Sequence, residues 1–161
     1  MANKLIQSIL DSLKLTEEDD FDDDFDDDDD DEDYYESDDW SSFASYVRGF
    51  IGCRYVYGGA SPDGFDCSGF VKYVYSQFGV NLNRIAADQA SNGYAVSASA
   101  MMPGDIICFA NYGGGGYIGH VGIYVGNGNF IHSPRTGYTV RIESLATSGY
   151  GNRIACVRRI F

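Results

Sequence analysis

Eighteen of the chain's 24 acidic side chains fall between residues 17 and 39. Like charges at that density repel one another, and the few apolar residues among them, Phe21, Phe25, Tyr34 and Tyr35, bury too little surface to offset the entropy of ordering the backbone. Residues 16–40 therefore read as an acidic disordered linker, and the fold has to be built from the residues C-terminal to it. From Trp40 onward there are nine Lys and Arg against five acids: Asp63, Asp66, Asp88, Asp105 and Glu143. The whole-chain net charge of −13 thus hides a mildly basic domain, and the overall pI says nothing about what that domain binds.

Ahead of the linker, residues 1–15 read as an amphipathic helix, with Leu5, Ile6, Ile9, Leu10 and Leu13 on one face. Polar Gln7, Ser8, Asp11 and Ser12 break any signal-peptide core, and no run is long enough for a transmembrane helix. Residues 1–39 read either as a solvated extension or as an arm that docks a membrane, a partner protein or the domain's own basic face. A helix this short needs a surface to be stable.

Residues 41–161 read as one folded domain. Ser42 to Ile51 has Phe43, Tyr46, Val47 and Phe50 at helical spacing, and an irregular Gly-rich stretch runs from Tyr55 to Phe65. In Cys67–Phe78, Phe70, Val71, Val74, Tyr75 and Phe78 recur at three and four, with Gly79 as the stop. A further short helix is expected at 84–92. After Pro103-Gly104 the pattern changes to strands, near 105–110, 118–126, 129–133, 138–143 and 154–160. Helices succeeded by a run of strands predict an α+β fold, with N-terminal helices packed on a five- to six-stranded antiparallel sheet.

Four cysteines, Cys53, Cys67, Cys108 and Cys156, form no C-x-x-C pair, and with only two histidines the spacing fits no zinc pattern. Free thiols are expected throughout, and no metal or other cofactor. Cys67 differs from the rest. It opens a predicted helix after a Gly-rich turn, where the helix dipole and unpaired N–H groups favour a thiolate and could hold an oxyanion. His120 and His132 flank Asn127-Gly128, a strong hairpin signal, so adjacent strands should bring them side by side. Alternation puts Val121, Ile123 and Val125 toward the core and turns His120 away from it, toward the Cys67 helix. A nucleophile, a base and a residue that orients the base is the logic of a catalytic triad. Two half-buried histidines bonded to backbone groups are the structural alternative.

The segment Tyr55-Val56-Tyr57-Gly58-Gly59-Ala60-Ser61-Pro62-Asp63-Gly64-Phe65-Asp66-Cys67-Ser68-Gly69-Phe70-Val71 resembles the nucleophile motif of the NlpC/P60 cysteine peptidases. Met102-Pro103-Gly104-Asp105-Ile106, Gly119-His120-Val121-Gly122-Ile123-Tyr124-Val125-Gly126 and Ile131-His132-Ser133-Pro134-Arg135-Thr136-Gly137 resemble its later segments, in order and spacing. The resemblance implies a papain-like fold and hydrolysis of an amide bond in peptidoglycan stem peptides, often after D-glutamate. It implies Cys67 as nucleophile, His120 as general base and His132 as the orienting residue. It further implies that Tyr55, Asp66 and Ser68 shape the substrate site, the last two by holding a free amine; Asp66 also suits an N-cap and Tyr55 a core position. Arg84 and Gln89 match a further family pattern, with Ile85 and Ala86 in place of its hydroxyl residues. A peptidoglycan peptide, and no nucleic acid, is the expected partner, and the cell wall the expected place of action. The export route stays open: a prophage-borne hydrolase, a toxin exported by a dedicated machine or an enzyme released at lysis would each fit. Another papain-like amidase or acyltransferase, or a non-catalytic binding module, are the rival readings.

Overall fold

The structure is a computed structural model that describes residues 42–111 and 116–160. The expected helix at 1–15 and linker at 16–40 lie outside the described residues. Helix α1 covers residues 42–48 and buries Phe43, Ala44 and Val47. It ends three residues short of expectation. Gly49, Phe50 and Ile51 donate three residues back instead of four, and Gly52 turns the chain at φ +99°. The Gly-rich stretch carries a small hairpin, β1 (Ala60–Ser61) with β2 (Gly64–Phe65).

Helix α2 (Cys67–Ser76) comes directly after the hairpin. Asp66 is its N-cap, accepting from the Gly69 N–H at 2.6 Å, and Gly79 stops it with φ +84°. Helix α3 (Ala86–Gln89) is a single turn inside the expected 84–92. Its flanks are drawn out of the helix by Asn83, whose N–H donates to the Asn92 side chain and whose Nδ2 donates to the Asp88 carbonyl.

The sheet then assembles from β3 (Tyr94–Val96), β4 (Ile106–Ala110), β5 (Ile118–Gly126), β6 (Asn129–His132), β7 (Arg141–Ser144) and β8 (Ile154–Arg159). The order is β3-β8-β4-β5-β6-β7, antiparallel throughout, which is an α+β, papain-like arrangement. Asn127 and Gly128 take φ 55° and 78°, the positive pair that closes the β5–β6 hairpin. Two strand expectations shift. β3 is too short to show a pattern, and β7 starts at Arg141, because residues 138–140 pair instead with 52–55 through Tyr55 N–H to the Tyr138 carbonyl and Val140 N–H to the Cys53 carbonyl.

The two faces of β5 meet two clusters. Val121, Ile123 and Val125 pack with Phe70, Val71 and Val74 of α2 in the main core. The other face is also covered, by Ile107, Phe109 and Phe130 with Tyr124, Tyr150 and Ile154 packed against them. All four cysteines are free thiols.

Candidate active site

Helix α2 presents Cys67 to the edge of β5. The last β5–β6 partner pair toward the chain's 118 end is Ile123 with Ile131, after which β6 turns off at Ser133-Pro134. That leaves the edge at Gly119–Val121 open, and Cys67 occupies it. Its Sγ lies 4.0 Å from the Gly119 carbonyl oxygen, and the Val121 amide bonds to the sulfur. The two residues that address the sulfur bracket His120. This corrects one expectation: His120 faces away from the main core, yet the helix covers the Val121 face and reaches the strand at its edge. The His120 ring is enclosed among Phe109, Tyr150 and His132, not open to solvent.

His120 Nε2 and His132 Nδ1 are 2.7 Å apart, and His132 Nε2 lies 2.8 Å from Oε2 of Glu143 on β7. A carboxylate only accepts hydrogen bonds, so His132 Nε2–H donates to Glu143. His132 Nδ1 is then an acceptor, and His120 Nε2–H donates to it. The lone pair left on His120 is at Nδ1, which fixes the nitrogen available as a base. Glu143 is the member that sequence reasoning missed. Its only sequence signal is that it is the one acid after Asp105, alternating with apolar Ile142 on a strand. Arg141 Nε, 3.6 Å from the same Oε2, helps hold it. Glu143→Gln can offer an amide N–H to His132 and reverse the tautomers. We expect kcat to fall about 10- to 100-fold with KM little changed; a parental kcat in steady-state assays removes Glu143 from the relay.

Electrostatics set the resting protonation. Burial, the His132 ring and Arg153 hold His120 well below the usual imidazole range. Burial and the Arg141 and Arg135 guanidinium groups lower His132 to about 3, against the pull expected of the adjacent carboxylate. Burial, and secondarily the Asp66 charge, push the Cys67 thiol up, although the amides of Val121, Ser68 and Cys67 pull it down. The expected bias toward a resting thiolate is therefore outweighed by desolvation, and a neutral thiol beside a neutral imidazole is favoured.

Both histidines bind protons more weakly folded than unfolded. Above pH ~6.5 neither state is protonated there, so the histidines add no pH dependence. As the pH falls from about 6.5 toward 3, the unfolded chain takes up protons that the native chain refuses, and stability is lost. Urea unfolding should show a fall on the order of a few kcal/mol over that window, lessened in His132→Gln by the His132 share while the His120 share remains. A flat profile between about pH 7 and 5 contradicts this assignment.

At the helix mouth, Asp66 also pairs with Arg84: Nη1 donates to Oδ1 at 3.1 Å and Nη2 to Oδ2 at 2.9 Å. Arg84 Nη1 donates to the buried Ser68 Oγ at 3.0 Å. Gln89 Nε2 holds the Ser68 and Asn83 carbonyls. Tyr55 is half-buried; burial first, then the neighbouring Cys67 and Asp66 charges, raise its phenol pKa. The structure thus gathers Tyr55, Asp66 and Ser68 around Cys67, with Asp66 already engaged by Arg84 and by its capping bond. Among the described residues, no three His, Cys, Asp or Glu side chains are arranged to hold a metal ion.

The sequence matches the NlpC/P60 family over residues 52–159. The chain belongs to the NlpC/P60 family. It is 43% identical over 112 residues to gamma-D-glutamyl-L-lysine dipeptidyl-peptidase of Bacillus subtilis strain 168, covering 70% of this chain and 38% of that protein. A crystal structure of an NlpC/P60 family protein from Bacillus cereus ATCC 10987 superposes with TM-score 0.71 at 39% identity, covering 75% of this chain and 40% of that one. The NlpC/p60 domain of the peptidoglycan hydrolase SagA gives TM-score 0.61 at 34% identity, covering 73% of this chain and 93% of that one. This NlpC/P60 chain spans about a third of the length of the curated Bacillus relatives it matches.

Proposed function

We propose that this NlpC/P60 domain is a cysteine peptidase that hydrolyses an amide bond of peptidoglycan stem peptides, at the γ-D-glutamyl linkage to the third residue. The observation that carries the reading is the continuous His120–His132–Glu143 hydrogen-bond chain, which leaves Nδ1 of His120 as base on the strand whose edge Cys67 occupies. The gamma-D-glutamyl-L-lysine specificity named for the Bacillus relative supports the choice of bond.

In this mechanism Cys67 is the nucleophile and His120 Nδ1 takes its proton as the sulfur attacks the amide carbonyl. The resting pair is neutral, so charge separates only during attack. N–H groups at the start of α2 receive the oxyanion. His132 and Glu143 stabilise the imidazolium that forms, and His120 then protonates the leaving amine. Water, deprotonated by His120, hydrolyses the thioester and frees Cys67. Tyr55, Asp66 and Ser68 form the end of the groove that takes the stem peptide's free amine. Arg84 offsets the charge of Asp66, so selection there rests on directed hydrogen bonds more than on net charge. The place of action is the cell wall.

The test is digestion of defined wall peptides with product identification by mass spectrometry, using Cys67→Ala as the blank. Products cut after D-glutamate, absent from the blank, are expected. Cleavage of a different bond, or equal cleavage by the blank, overturns the proposal.

A further inference from the structure

Two thiols that the proposed chemistry does not use face each other across the sheet. Cys108 of β4 and Cys156 of β8 are direct partners in the antiparallel ladder, next to the pairs Ile107–Val157 and Ile106–Arg158. Directly opposed residues send their side chains to the same face. Here it is the main-core face: Cys108 is fully buried there, and half-buried Cys156 packs against the same cluster. The two thiols hydrogen-bond to each other. Opposed residues of an antiparallel pair have Cα atoms about 4.5 or 5.5 Å apart, depending on whether they exchange ladder hydrogen bonds. Both values lie inside the roughly 4.4–6.8 Å that a disulfide spans. Of the four cysteines, only these two are ladder partners. Cys67 stands at the open edge of β5, and Cys53 meets Val140.

We infer that Cys108 and Cys156 form a disulfide outside the cytoplasm, bracing β4 against β8 and closing the loop that holds the whole relay. Peptidoglycan lies outside the reducing cytoplasm, where disulfides persist. The pair is the last regular one of its ladder before a bulge, after which Phe109 faces Ile154. Phe109 is one wall of the His120 enclosure. The chain between the two cysteines, residues 109–155, carries β5, β6 and β7, and with them His120, His132 and Glu143. Formation takes two exchanges with a disulfide oxidant RSSR, either oxidised glutathione or the disulfide of an oxidoreductase. The thiolate of Cys156, the more accessible of the two, attacks one sulfur of RSSR and releases the first thiolate. The Cys108 thiolate then attacks Cys156 Sγ and releases the second. Two thiols are oxidised, one RSSR is reduced to two RSH, and the two thiol protons end on the released sulfurs. Burial, then the Cys156 neighbour, raise the Cys108 thiol, while Arg158 pulls it back in part. The second exchange is therefore the slower one.

The experiment equilibrates the full chain with an excess of oxidised glutathione, blocks the remaining thiols with iodoacetamide and digests without reduction. Trypsin leaves Cys108 in residues 85–135 and Cys156 in residues 154–158. Mass spectrometry should find these two peptides linked, lighter by two hydrogens than their sum. Closing residues 108–156 should raise Tm by roughly 10 °C over the dithiol form. Cys156→Ala should show no such difference between oxidised and reduced samples. A Cys108 thiol still free after oxidation overturns the inference, with or without a glutathione adduct on Cys156. So does linkage of Cys108 to Cys53 or Cys67. A linked form that melts with the dithiol form overturns the bracing. None of these readouts depends on which bond the domain cleaves.

Discussion

His120→Ala is expected to reduce kcat on wall peptides by about a thousandfold while the domain stays folded, since positioned general bases typically contribute 10²–10⁴. The size comes from the resting state. Cys67 is a neutral thiol held up by burial, so little thiolate exists without a base to take the proton. His120 is available as a free base because its enclosure, among Phe109, Tyr150 and His132, keeps it unprotonated. His132 is a poor substitute, because it stays anchored through Nε2 to Glu143 and sits on β6, one strand beyond the β5 edge that Cys67 occupies. Added imidazole should restore part of the rate in the vacated space. Activity within tenfold of the parent would show that the proton goes elsewhere.

Gly69→Ala should be the most damaging small substitution in α2. A Cβ there would overlap the Gly59 carbonyl oxygen and stand 2.8 Å from Asp66 Oδ1 and 3.0 Å from the Ala60 Cα. Two of those three atoms are backbone, so relief requires lifting the helix off the β1–β2 hairpin, which also breaks the Asp66 cap and moves Cys67. Overpacking usually costs about 1–3 kcal/mol, and a backbone clash of this depth belongs at or above the upper end. A fall in Tm of roughly 10 °C or more, with loss of hydrolysis, is expected. Gly79→Ala is the control. It meets no atom within 4 Å, and only its φ of +84° opposes the change, which should cost about 1 kcal/mol. Equal effects of the two substitutions would mean that conformation, and not close approach to Gly59, governs Gly69.

What could be read from the sequence was what local pattern controls. The spacing of Phe70, Val71, Val74 and Tyr75 defines α2, and Asn127-Gly128 defines the hairpin that pairs the histidine strands. The alternation of Val121, Ile123 and Val125 assigns the core face of β5 correctly. What escaped depends on register between distant segments. Glu143 meets His132 only because β7 pairs His132 with Arg141 and Phe130 with Glu143. The 138–140 stretch reads as strand, yet it bonds to residues 52–55, more than eighty positions earlier. Arg84 matched a family pattern, but its grip on Asp66 and Ser68 across the helix mouth carries no periodic signal. The enclosure of His120 was missed for a similar reason, since Tyr150 arrives from a short 3₁₀ turn, Tyr150–Arg153, with no pattern of its own.

The relay draws one side chain from each of three neighbouring strands, β5, β6 and β7. Side chains alternate between faces along a strand, so a slip of a single position in either pairing would swing an imidazole or the glutamate to the far side. A chain in which β6 and β7 are not yet zipped therefore carries a base whose tautomer is not set by the glutamate. Full turnover should be reached only when the β6–β7 ladder closes, which makes the rate itself a gauge of correct strand alignment.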